Sequence, residues 1–131
     1  MATLNRDTVL SATDLEVRIL DVPEWGGQIR LKTMDGTRRD MFDAELQKRR
    51  ISDNEVDIRE MKALLLVLTA VDDSDQMIFE LRDVKELNKK SGAVLDRLWD
   101  DIRQMNGIGQ SNLEEMTKNS AAVQSGSSGS D

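Results

Sequence analysis

Ile58-Arg59-Glu60-Met61-Lys62-Ala63-Leu64-Leu65-Leu66-Val67-Leu68-Thr69-Ala70-Val71 is the most apolar stretch of the chain, and its reading decides the fold. The polar residues Arg59, Glu60 and Lys62 stand at its start; wound as a helix, it turns apolar side chains in almost every direction from Ala63 onward. A helix that is apolar all round is buried on all sides. Spanning a bilayer takes about 20 such residues, and this run is shorter, with charged flanks. A buried strand over residues 64–68 also fits the apolar run, but Ala, Met and four Leu favour helix. The expectation is a central helix over residues 58–71 against which everything else packs.

Outward from that stretch, amphipathic segments supply the layers that cover it. Leu15-Glu16-Val17-Arg18-Ile19 and Gln28-Ile29-Arg30-Leu31-Lys32-Thr33 alternate apolar and polar, the period of half-buried strands. Between them, Val22-Pro23-Glu24-Trp25-Gly26-Gly27 places a proline and two glycines where a turn is needed, so residues 15–33 read as a hairpin. Trp25 either packs over that turn or stands at its tip as an anchor for a partner. A helix is expected over 37–50, with Thr37 as N-cap, Asp40 in a variant capping-box position, and Met41, Phe42 and Leu46 as its apolar stripe. Its cationic end, Lys48-Arg49-Arg50, offsets the helix dipole more simply than it binds phosphate. Residues 51–57 read as a link to the central helix.

Beyond the central helix, a short helix is expected over 83–89 and a longer one over 91–106 capped by Ser91. Val94, Leu95, Leu98, Trp99, Ile102 and Met105 share one wide face of the latter, and Gly107-Ile108-Gly109 closes it. Ser111-Asn112-Leu113-Glu114 opens a last helix over 111–118, and the Ser/Gly-rich residues 119–131 have almost nothing to bury. The fold class expected is α+β and mainly helical: an N-terminal hairpin on four to five helices around a buried one, as a single domain over 1–118 with a disordered tail.

Composition narrows function by removal. There is no Cys and no His, so the thiolate nucleophile, the thiolate metal site and the commonest general base are missing; Tyr is absent too. A net charge of −7 opposes binding to nucleic acid and to anionic membrane surfaces. Met1-Ala2-Thr3-Leu4-Asn5-Arg6-Asp7 has no apolar core of a signal peptide, which points to a cytoplasmic protein. Asp72-Asp73-Ser74-Asp75-Gln76 concentrates carboxylates, but starting a calcium loop at Asp72 or Asp73 puts Met77 or Ile78 where glycine is required, so it reads as a solvated turn. No catalytic, cofactor or metal constellation emerges. Residues alone reach a small, acidic interaction protein.

The ordered string of motifs goes further. Val22-Pro23-Glu24-Trp25-Gly26-Gly27, then Met34-Asp35-Gly36-Thr37-Arg38-Arg39-Asp40-Met41-Phe42, then Ala93-Val94-Leu95-Asp96-Arg97-Leu98-Trp99, and finally Lys118-Asn119-Ser120 follow one another with the spacing of a known family. Over residues 8–120 the chain resembles the tail assembly chaperones of siphophages and related prophages, in their short, non-frameshifted form. The resemblance implies a non-enzymatic protein of the host cytoplasm that binds the tape measure protein, keeps it soluble during tail assembly and is absent from the mature virion. It also implies a longer product of programmed ribosomal frameshifting that recruits tail tube protein, and it allows self-association. Trp25, Met105, Ile108, Leu113 and Met116 are the partner-binding candidates, the last four as an apolar groove at the C-terminal end. Two other classes stay open: a structural tail or head–tail connector component retained in the virion, and a small carboxylate–metal enzyme.

Overall fold

A computed structural model describes residues 2–108. The last expected helix and the tail, with Leu113 and Met116, lie outside the described residues. The chain is α+β. In order it forms helix α1 (Arg6–Ser11), strand β1 (Val17–Val22), a 3-10 turn (Pro23–Trp25), β2 (Gly27–Lys32), α2 (Gly36–Lys48), β3 (Arg50–Ser52), β4 (Glu55–Val56), α3 (Met61–Thr69) and β5 (Ala70–Val71). A second 3-10 turn (Leu81–Asp83), α4 (Val84–Leu87) and α5 (Gly92–Met105) complete it.

The expected central helix is α3, and it is buried as its sequence demands. Ala63, Leu64, Leu65, Leu66, Val67 and Leu68 expose nothing. Removing each leucine side chain from water stabilises by roughly 1.5–3 kcal/mol. α3 packs against α2, α4 and α5, and its residues join one continuous core with Leu31 and Ile29 of the sheet and Phe42 and Leu46 of α2. Thr69 tolerates this interior because its hydroxyl donates to the Leu65 carbonyl at 2.8 Å.

Five details depart from expectation, each for a local reason. The central helix begins at Met61 rather than at residue 58, because Glu60 before it is left-handed (φ 66°). The helix stops at Thr69, short of residue 71, because Ala70 turns extended (φ −77°, ψ 126°) and pairs with Leu31 while Val71 pairs with Arg30. The expected hairpin thereby gains a third strand, in the order β1-β2-β5. Residues 51–57 are not a plain link: Arg50 pairs with Val56 and Ser52 with Glu55 across an Asp53-Asn54 turn. The N-cap of α2 is Asp35 rather than Thr37, since its carboxylate accepts from Arg38 N at 2.9 Å. The expected 83–89 helix starts as a 3-10 turn at Leu81, where Glu80 and Asp83 cap each other's backbone.

Ion pairs lock these layers together. The turn after β5 is more than a solvated acidic loop: Asp75, held at φ 65°, accepts from Arg30 and from Lys32 Nζ, the latter at 2.8 Å, and so fastens it to the outer face of β2. Hydrogen bonds from Lys32 and Arg30 depress its carboxyl to about 2. Lys48 and Arg49 close on the buried Glu45 at 3.0 and 2.6 Å, which gives those α2-end cations an internal use.

A carboxyl with a depressed folded-state pKa stabilises the fold above its unfolded pKa of about 3.9, and that contribution is lost as pH falls through the folded value. For Asp75 the window runs from about pH 4 down to about 2. Urea melts across that range should show stability dropping with acid, and Asp75→Asn, which still suits a positive φ, should be less stable at neutral pH with a flatter acid slope.

Candidate partner-binding groove

The groove forms where the chain enters α3. Asp57 nucleates a tight turn there, accepting from Arg59 N at 3.0 Å and from the Arg59 guanidinium at 3.0 and 2.8 Å. These bonds, the side-chain ones foremost, hold the Asp57 carboxyl down at about 2. Glu60 then takes a left-handed conformation, φ 66° and ψ 9°, immediately before the helix. Such backbone is costly for a residue with a Cβ. Its carboxylate is compensated by Arg49 at 3.9 Å and Lys85 at 3.6 Å. The result is that Ile58 is left on the surface, 47% exposed, while Met61 is driven inward.

Opposite this rim lies the first half of α5, started by Ser91, whose hydroxyl accepts from Val94 N at 3.4 Å. Between the two elements is a cleft of about 370 Å³ lined by Ile58, Met61, Leu95 and Trp99, with Lys62, Lys90 and Asp96 on its rim. Lys62 pairs with Asp96 and ties α3 to α5 across one wall. A second depression of about 420 Å³ adjoins it through Lys90 and is lined by Phe79 and Leu87. The arrangement offers an apolar floor with ionic edges, suited to holding the apolar face of a helix.

The residues singled out in the sequence fall elsewhere. Trp25 is half-buried on its own turn and packs against the core, while Glu24 beside it is clamped by Arg97 of α5 at 3.0 and 2.8 Å. That clamp, chiefly its side-chain hydrogen bonds, draws the Glu24 carboxyl down to about 2. Met105 and Ile108 are brought together, but inside the core, as Ile108 N donates to the Arg103 carbonyl at 2.6 Å past Gly107 at φ 68°. Ile58, Leu95 and Trp99 were not among the candidates. Their signal was the exposed Ile58 preceding an all-round apolar helix, and only the Asp57 turn reveals which way it points.

Among the described residues no helix is long and apolar enough to cross a membrane. The chain matches no family model and no curated protein. Its fold is nevertheless similar to that of a solved phage tail assembly chaperone. The solved structure that shows this is the tail assembly chaperone of bacteriophage HK97, which is 18% identical and superposes with a TM-score of 0.52 over 79% of this chain and 95% of the HK97 chain.

Glu60→Gly and Glu60→Ala both remove the carboxylate, and only alanine keeps a Cβ at positive φ. The glycine variant should therefore be more stable than the alanine variant by about 1 kcal/mol in urea denaturation. Equal midpoints would mean that the turn shaping the groove is not strained.

Proposed function

We propose that this chain is a non-catalytic phage tail assembly chaperone of the host cytoplasm that binds the tape measure protein and keeps it soluble until the tail tube forms around it. The observation that carries the reading is the fold shared with the HK97 tail assembly chaperone along nearly all of that chain. The groove supports it chemically. A tape measure protein awaiting assembly presents long amphipathic helices, and an apolar floor of Leu95 and Trp99 walled by Ile58 takes such a face. The excess of acidic side chains over the whole chain, net −7, keeps the resulting complex in solution. Leu113 and Met116 remain binding candidates in this proposal, and a longer frameshifted product recruits the tail tube protein.

Co-expression with the tape measure protein of the same phage tests the reading. The tape measure should become soluble and co-purify with the wild-type chain, and purified virions should lack the chaperone by mass spectrometry. Ile58→Asp, at an exposed position, should lose the capture with its thermal melt unchanged. A tape measure that stays insoluble beside folded wild-type chain, or a chain retained in virions, contradicts the proposal.

A further inference from the structure

Lys90 stands where the two depressions beside α4 and α5 meet, and it lines both. The backbone fixes its place. Lys90 N donates to the Leu87 carbonyl at 3.0 Å as α4 ends, and Ser91 caps α5 directly after it. On one side of the lysine lies the floor of Leu95 and Trp99, and on the other the floor of Leu87 and Phe79. The surface is thus two apolar sockets separated by a single cationic side chain.

The other charged side chains along the two rims are already engaged. Lys62 pairs with Asp96, and Glu60 lies 3.9 Å from Arg49 and 3.6 Å from Lys85. Around the second socket Glu86 holds Lys89 at 3.1 Å, and the Asp83 carboxylate accepts from Glu80 N at 2.8 Å. Lys90 is exposed, and among the described residues no carboxylate comes within ion-pair distance of its ammonium. The unspent charge of the whole groove is therefore one positive charge, placed between its apolar floors.

We infer that the helix seated here presents an acidic side chain between two apolar anchors, and that Lys90 is the residue that selects it. The partner's identity as a tape measure helix rests on the function proposed above; the charge it must carry rests on the groove. Two sockets on either side of one residue are spanned by about two helical turns, roughly 10 Å, so anchors at i and i+7 enter the two floors. A carboxylate at i+3 or i+4 then lies on the same face, over Lys90. The chain as a whole, at net −7, repels an acidic partner, so Lys90 sets the register in which such a helix can seat. A helix with lysine at that position meets like charge instead.

The test uses the full chain and two synthetic helical peptides of about 20 residues, long enough to hold a helix. Both carry leucine at i and i+7, and they differ only in glutamate or lysine at i+4. Titration calorimetry should find the glutamate peptide bound about tenfold more tightly by the wild-type chain, and Lys90→Glu should reverse the preference. Lys90→Arg should keep it. Arg6→Glu, at a side chain 81% exposed on α1, changes the net charge equally and should leave the preference as it is. In co-expression, Lys90→Glu should recover at least about fivefold less soluble tape measure than Arg6→Glu does. Tape measure captured equally by the wild type and Lys90→Glu overturns the role of Lys90 and leaves the chaperone reading standing. A wild-type chain that captures no tape measure overturns the partner's identity, while a reversed peptide preference still assigns the acidic seat to Lys90. Peptides that are not bound, bound without preference, or shifted as much by Arg6→Glu overturn the inference. Should Lys90→Glu not fold, Lys90→Gln decides, by abolishing the preference or leaving it.

Discussion

Burial of α3 on every side is the constraint from which the rest of the molecule follows. From Ala63 onward the helix has no polar face and needs a wall in each direction, and the chain supplies them in sequence: β2 and β5 on one side, α2 on another, α4 and α5 on the remainder. The short β5 is a consequence. Ala70 and Val71 are too apolar to leave the core, so the helix ends straight into the sheet. The same burial makes the entry to α3 abrupt. Met61 must be inside while Arg59 stays outside, and the change is made within two residues by the Asp57 turn and the left-handed Glu60.

The groove is the by-product of that turn. Had the helix begun at residue 58, as its apolar pattern suggests, Ile58 would have continued the helical face. Instead Ile58 is left outside, across from Leu95 and Trp99, and the depression between them is apolar at its base and ionic at its edge. A surface of this kind suits transient binding. Its floor residues already belong to the core, so in the proposed role a partner helix would meet a preformed seat rather than one that must be ordered on binding.

Period-based reading found the elements whose side chains alternate or repeat strongly. The hairpin, the face of α5 and its Ser91 and Gly107 ends all stand where the sequence places them. It missed features decided by a few backbone angles or by pairing between distant residues. The Arg50–Val56 hairpin is too short to show a period, and only Asp53-Asn54 hints at it. The stop at Thr69 depends on β2 needing a neighbour, which no local window contains. Of the binding candidates, Met105 and Ile108 are apolar near a helix end, a pattern that fits core and groove equally, and both are buried in the folded chain.

The most direct test of the central claim is hydrogen exchange on the chain alone and in its co-purified complex with the tape measure protein. The account predicts slowed exchange confined to the two walls of the groove, around Ile58 to Lys62 and Lys90 to Trp99, with α2 unchanged. A complex that forms without protection at those walls would contradict it.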